Sequence, residues 1–193
     1  MAEPLTVRQS PPARFEPVSG KDLRIAEIPF LTQVNLRVDP ESRAAAEIGL
    51  ALGVPLPTGP GTYASADADV LWLGPDEWLV VGEADEVGNA AELETRLRFA
   101  AGTEHVGITD VSAQRTALLV AGPRARDLLA HGCALDLYPG VFGPGRCAQT
   151  MLARAQVLLV AHAGDEFTVF VRSSFAGYLA AWLLDAAAEY LVE

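Results

Sequence analysis

The order of elements along this chain occurs twice, and that repetition constrains the fold before any single residue does. Leu36 to Leu50 reads as a short apolar strand, a proline-marked helix start and an Ala/Leu-rich helix, and Leu119 to Cys133 reads the same way. Further on, Asp76-Glu77-Trp78-Leu79-Val80-Val81 is answered by Asp165-Glu166-Phe167-Thr168-Val169-Phe170. The two matches lie 83 and 89 residues apart. Order and approximate spacing both survive, which points to two related α+β half-domains sharing one core. Val34–Val38 and Thr116–Val120 are expected at equivalent sheet positions, as are Glu77–Val81 and Glu166–Phe170.

Local signals fill in each half. Leu23 to Ile28 alternates with the period of a half-buried strand, and Gln33 to Val38 reads as another. Asp39 is the expected cap of a helix with Pro40 at its first position, and Gly53 its stop. Val70–Leu73 and Glu77–Val81 flank Gly74-Pro75-Asp76 as a hairpin. Asn89 with Glu92 reads as a capping box opening a helix to about Ala101. On it Glu92 and Arg96, and Glu94 and Arg98, are spaced to pair on an outer face. The second half repeats the plan, with a helix stopped by Gly132, a strand from Cys147 to Leu152, and a hairpin around Gly164-Asp165. Ser173 or Ser174 is the expected cap of the last helix, on which Phe175, Tyr178, Leu179, Trp182 and Leu183 form one apolar stripe. The expected class is α+β. It comprises two duplicated ferredoxin-like βαββαβ halves, about 21–103 and 104–193, in one domain spanning 21–193, with helices covering one face of antiparallel sheets. Residues 1–20 read as a proline-rich tail, draped on a partner.

Charge narrows the partners. The chain of 193 residues carries 14 basic and 25 acidic side chains, net −11, which repels phosphate backbones and argues against nucleic acid. Cys133 and Cys147 form no CxxC pair and are expected to be reduced and partly buried. The N-terminus lacks the pattern of a secretory signal, and no apolar run reaches membrane-spanning length. The expected location is the cytoplasm, with no membrane contact.

Residues spaced for chemistry are few. Ser112 and His105 share a segment without a Gly-x-Ser-x-Gly elbow. His105, His131 and His162 lie far apart, with no metal-binding spacing. Gly59-Pro60-Gly61-Thr62 and Gly143-Pro144-Gly145-Arg146 contain proline where a phosphate cradle needs amide hydrogens, so both read as turns. Asp76-Glu77 and Asp165-Glu166 occur once per half, as turn residues do. No catalytic, cofactor-binding or metal-binding residue is therefore assigned. Trp72, Trp78 and Trp182 read as core residues or interface anchors. Arg115, Arg124, Arg126, Arg146 and Arg154 read as a solvated face or as a polar rim meeting an acidic partner. Arg115, Arg146, Gln149, Trp72 and Trp78 are the candidates for a subunit interface.

Several segments carry a more specific resemblance. Asp110-Val111-Ser112-Ala113-Gln114-Arg115-Thr116, followed by Val120-Ala121-Gly122-Pro123-Arg124-Ala125, resembles the opening of the glycine-cleavage T-protein fold. Leu73-Gly74-Pro75-Asp76-Glu77-Trp78-Leu79, Gly132-Cys133-Ala134-Leu135-Asp136-Leu137, Phe142 to Thr150 and Val171 to Tyr178 are together similar to the gamma-subunit family of heterotetrameric sarcosine oxidases. The resemblance covers roughly residues 21–190. It implies a subunit of an enzyme that demethylates sarcosine to glycine, releasing peroxide and formaldehyde or methylenetetrahydrofolate. It also implies alpha, beta and delta partner subunits carrying flavins and NAD, tetrahydrofolate in the complex, and a gamma chain without a redox centre. T-proteins place an acidic residue after the strand equivalent to Cys147–Leu152. Here Leu152-Ala153-Arg154-Ala155-Gln156-Val157 has none, so a cationic folate intermediate would lack its anion. Two rivals stand beside this reading. One is a stand-alone folate-dependent one-carbon transferase, the other a ligand-binding regulatory module.

Overall fold

A computed structural model describes residues 9–12, 15–84 and 89–191. The strands are β1 (Val18–Ser19), β2 (Arg24–Ile28), β3 (Leu31–Arg37), β4 (Tyr63–Ser65), β5 (Asp69–Gly74), β6 (Glu77–Ala84), β7 (Gly107–Asp110), β8 (Arg115–Ala121), β9 (Arg146–Leu152), β10 (Ala155–Ala161) and β11 (Glu166–Arg172). The helices are α1 (Arg43–Leu52), α2 (Asn89–Ala101), α3 (Ala125–Ala130) and α4 (Ala176–Ala187). One antiparallel sheet runs β1-β2-β8-β11-β10-β9, and the other β4-β5-β6-β3-β7.

The apolar runs explain the layering. Strands β8, β10 and β11 are almost continuously buried rather than alternating, so both of their faces need a cover. One face of the larger sheet packs Leu118, Val120, Leu159 and Val169 against Leu128 of α3 and Leu179 and Leu183 of α4. One face of the smaller sheet packs Val34, Leu36, Val70 and Val80 against Ile48 of α1 and Leu97 of α2. The remaining faces meet each other through Leu71, Leu79 and Val81 on one side and Ala117, Leu158, Val160 and Phe170 on the other. The order of layers is helices, sheet, sheet, helices.

The duplication is present in the register. Arg37 pairs with Glu77 as Ala121 pairs with Glu166, and Val34 with Val80 as Leu118 with Val169. The equivalent segments are thus Leu31–Arg37 and Arg115–Ala121, 84 residues apart. Val34 matches Leu118, two residues beyond the expected Thr116, which leaves the buried face unchanged because strand side chains repeat every two residues.

The halves do not coincide with the sheets. β2 lies within 21–103 but pairs with β8, and β7 lies within 104–193 but pairs with β3. The smaller sheet holds the complete βαββαβ order, with β4 added at its edge. In the larger sheet no strand follows α4 among the described residues, and β2, from the start of the chain, takes that position.

Several local expectations shift. Ser42, not Asp39, caps α1, its Oγ accepting from the Ala45 amide at 3.1 Å. Asp39 forms the turn before it, accepting from the Glu41 amide. Gly53 ends α1 with φ 74° as expected. Glu94 and Arg98 leave their helix partners and bond the Asp110 amide and the Ile108 carbonyl. Those groups lie on the edge strand β7, so the two side chains protect its open edge. The side chain of Asn89 lies outside the described residues. A 3-10 turn, Ser173–Phe175, precedes α4, and the Ser173 hydroxyl donates to the Ala113 carbonyl instead of capping the helix. The buried stripe of α4 is Ala176, Leu179, Ala180, Leu183 and Ala187, leaving Phe175 and Tyr178 exposed as an edge-to-face pair. Phe15, within the tail, packs on this chain's own core.

Gly122 sits where β8, α3 and the entry to β2 converge, with φ 114°. A Cβ there would lie 2.5 Å from the Asp22 carbonyl oxygen, which already accepts from the Arg124 amide. Gly122→Ala is expected to cost roughly 2–3 kcal/mol. The check is a lower urea midpoint at unchanged m-value.

Candidate functional site

The two Gly-Pro-Gly turns adjoin. The Tyr63 amide donates to the Gly145 carbonyl and the Cys147 amide to the Gly61 carbonyl, both at 3.0 Å, around a bridge between Thr62 and Arg146. These pairs exchange under the repeat, because Gly61 and Tyr63 correspond to Gly145 and Cys147. The Tyr63 hydroxyl donates to the Ala161 carbonyl at 3.0 Å, and the Cys147 thiol points at the carbonyls of Thr62 and Trp72. The turns therefore stitch the edge of one sheet to the edge of the other. Burial raises the pKa of the Tyr63 phenol and pushes the Cys147 thiol up to about 11.

The loop leading into this junction is held from beneath. Arg126 Nη1 donates to the carbonyls of Leu137 and Phe142 at 2.5 and 2.9 Å, and its Nε meets Asp165 at 2.7 Å. The guanidinium lies 4.9 Å from the centre of the Phe167 ring. Its side chain is 15% exposed, so Arg126 is a clamp and not part of a solvated rim. The loop then displays Tyr138 and Val141 to solvent.

The five interface candidates fall in three places. Trp78 is fully buried on the helix side of the smaller sheet, its indole donating to the Pro57 carbonyl at 2.8 Å. It packs in the core of this fold, one of the two readings open to it from the sequence. Trp72, directly across from it, is partly buried against the same cluster. Arg146 is exposed at the start of β9. Arg115 and Gln149 line one pocket of about 480 Å³, together with Arg172, Gln156 and Leu73. Gln149 Nε2 donates to the Leu73 carbonyl at 2.9 Å, tying β9 to β5 across the sheets. Arg172 was missed because only the β8–β11 pairing places it beside Arg115.

Among the described residues no group of three His, Cys, Asp or Glu side chains is arranged to hold a metal. Cys133 and Cys147 are free and buried. The Ser112 hydroxyl accepts from the Gln33 amide and donates to Asp110 at 2.6 Å, a turn arrangement with no histidine in it. The β9–β10 hairpin turns at Ala153, φ 51°, and carries no carboxylate.

Paired ferredoxin-like units with their sheets packed together define the T-protein-like class. An aminomethyltransferase T of the glycine cleavage system from Bartonella henselae matches 84% of this chain and 45% of its own, with TM-score 0.64 at 17% identity. At that identity the likeness concerns the fold alone. The family model described as sarcosine oxidase, gamma subunit family, matches residues 37–189. The sarcosine oxidase subunit gamma of Corynebacterium sp. (strain U-96) is 35% identical over 98% of this chain and 95% of its own. That of an Arthrobacter species is 38% identical over 86% of this chain and 80% of its own. A chain of the heterotetrameric sarcosine oxidase from Corynebacterium sp. U-96, solved with pyrrole 2-carboxylate, superposes with TM-score 0.87, covering 97% of this chain and 98% of that one. The chain belongs to the sarcosine oxidase gamma subunit family.

Two outcomes follow from this geometry. Arg126→Ala leaves two carbonyls and a carboxylate without their shared cation, and is expected to destabilise the fold by about 3–5 kcal/mol. Thermal unfolding of the variant checks it. The Cys147 thiol titrates higher in the folded protein than its ordinary 9.0, so the folded state holds this proton more tightly. Its contribution is whole below pH 9 and is lost as pH rises to about 11. Urea midpoints across that range should fall more steeply for the wild type than for Cys147→Ala.

Proposed function

We propose that this chain is a non-catalytic gamma subunit of a heterotetrameric sarcosine oxidase, with an assembly or structural role. The observation that carries the reading is full-length similarity to sarcosine oxidase gamma chains, joined to polar side chains that serve the fold. Arg126 clamps a loop, Glu94 and Arg98 seal an edge strand, and Tyr63 and Cys147 join the sheets. In this reading alpha, beta and delta subunits are its partners, and flavins, NAD and tetrahydrofolate are bound by them. The absence of a carboxylate in the β9–β10 hairpin supports assigning folate chemistry elsewhere. No helix among the described residues is long and apolar enough to cross a membrane. We place the complex in the cytoplasm.

The loop and strand from Gly140 to Thr150 are the proposed contact surface. The exposed Tyr138 and Val141 offer apolar area on the loop leading into this strand, and the exposed Arg146 at its start offers a planar fork. Co-expression with the three other subunits should return this chain in one complex on size exclusion. Arg146→Glu should leave the circular dichroism of the chain unchanged and weaken assembly, by under about 1 kcal/mol at a rim and roughly 2–5 if the pair is buried. A wild-type chain that elutes alone would overturn the assembly role. Unchanged assembly by the charge-reversed protein would remove Arg146 from the interface.

A further inference from the structure

The repeat places one pocket in each sheet at corresponding positions, and the two have opposite charge. Through the paired registers, Arg115 corresponds to Leu31, its partner Arg172 to Ala84, Gln156 to Asp67 and Leu158 to Asp69, and a bulge beside Ala84 brings Glu83 into the second pocket. The residue facing each pocket from the other sheet also corresponds, Leu73 to His162. Among the described residues, one pocket is lined by Arg115 and Arg172 and by no carboxylate. Its counterpart, of about 240 Å³, is lined among those residues by Asp67, Asp69 and Glu83 and by no lysine or arginine.

The basic pair is not something the fold requires. The paired positions in the sister half hold Leu31 and Ala84. Arg115 and Arg172 stand directly opposite each other on paired strands, an arrangement that destabilises a sheet when the charges are alike. Neither guanidinium makes a salt bridge or side-chain hydrogen bond with another described residue. Glu77, the carboxylate that acts on Arg115, already accepts from Asn35 Nδ2 at 2.7 Å. Burial lowers the pKa of Arg115, and Arg172 lowers it further. In a chain of net charge −11, this is a locally concentrated positive site. A carboxylate between the two forks turns their repulsion into charge-assisted hydrogen bonds, with Gln156 and Thr150 as neutral partners.

We propose that the pocket at Arg115 and Arg172 is a carboxylate-binding site. The carboxylate is either a free small acid or one presented by a neighbouring subunit, and two measurements separate these sources. In the first, succinate is titrated into the full chain at low ionic strength by calorimetry, with neutral succinamide as its isostere. In the second, recovery of the assembled complex is measured for each variant. The variants are Arg172→Gln and Arg115→Gln, with the exposed Arg154→Gln outside the pocket as control. Succinate binding that Arg172→Gln weakens at least tenfold, that Arg154→Gln retains and that succinamide does not reproduce assigns a free acid. A silent titration, with recovery lowered at least fivefold by Arg172→Gln and not by Arg154→Gln, assigns a subunit's carboxylate. Should Arg115→Gln fail to fold, the exposed Arg172 still decides. A silent titration together with unchanged assembly overturns the proposal, as does equal loss in the Arg154 control. Failure of the wild-type chain to assemble counts against the proposed subunit role and leaves the titration to stand on its own.

Discussion

The inner apolar layer between the two sheets is the contact on which the rest of the structure depends. Leu71, Leu79 and Val81 of one sheet meet Ala117, Leu158, Val160 and Phe170 of the other, all buried. Each fully buried Leu, Val or Phe is worth about 1.5–3 kcal/mol relative to exposure. Without this layer each sheet would present a broad apolar face to water, a surface of the kind that drives association. Helices cannot serve both faces, because each half supplies only enough helix for one. The outer helices and the inner sheet-to-sheet contact are therefore linked requirements of the same strands.

Exchange of edge strands makes the two halves interdependent. β2 completes the sheet built from the second half, and β7 completes the sheet built from the first. The Gly-Pro-Gly turns join the opposite edges with two backbone hydrogen bonds that exchange under the repeat. Neither half can satisfy its edge alone, so the chain unfolds as one unit more readily than as two.

Duplication also releases one copy of a position from the constraints on the other. The helix-facing positions keep their apolar character in both halves, because packing holds them there, whereas the inner positions do so only in part, Leu79 answering Thr168 and Leu158 answering Asp69. The rim positions do not, and the two pockets diverge to arginine in one half and carboxylate in the other. Polar residues within the body of the fold mostly hold backbone groups, as Arg126 does for Leu137 and Phe142. The rims and the exposed loop at Tyr138 and Val141 are where this chain has surface to offer others.

Much of the architecture was legible from local pattern. The Leu36 and Leu119 segments, the two Asp-Glu hairpins and the helix stop at Gly53 follow from short-range rules of periodicity and turn chemistry, and all recur in the structure. The family resemblance rested on the same kind of contiguous segment. Site residues were less legible. Trp78 reads as core or anchor until its strand phase turns it toward the helices, and Arg126 reads as solvated face or partner rim until Leu137, Phe142 and Asp165 close around it. The sequence by itself determined the element order, the duplication and the family, because these are written in neighbouring residues. Only the tertiary structure decided that β2 and β7 change sheets, that the Gly-Pro-Gly turns meet, and that Arg115 faces Arg172. Those pairings join residues far apart along the chain, where the partner is selected by burial of whole faces and not by any local signal.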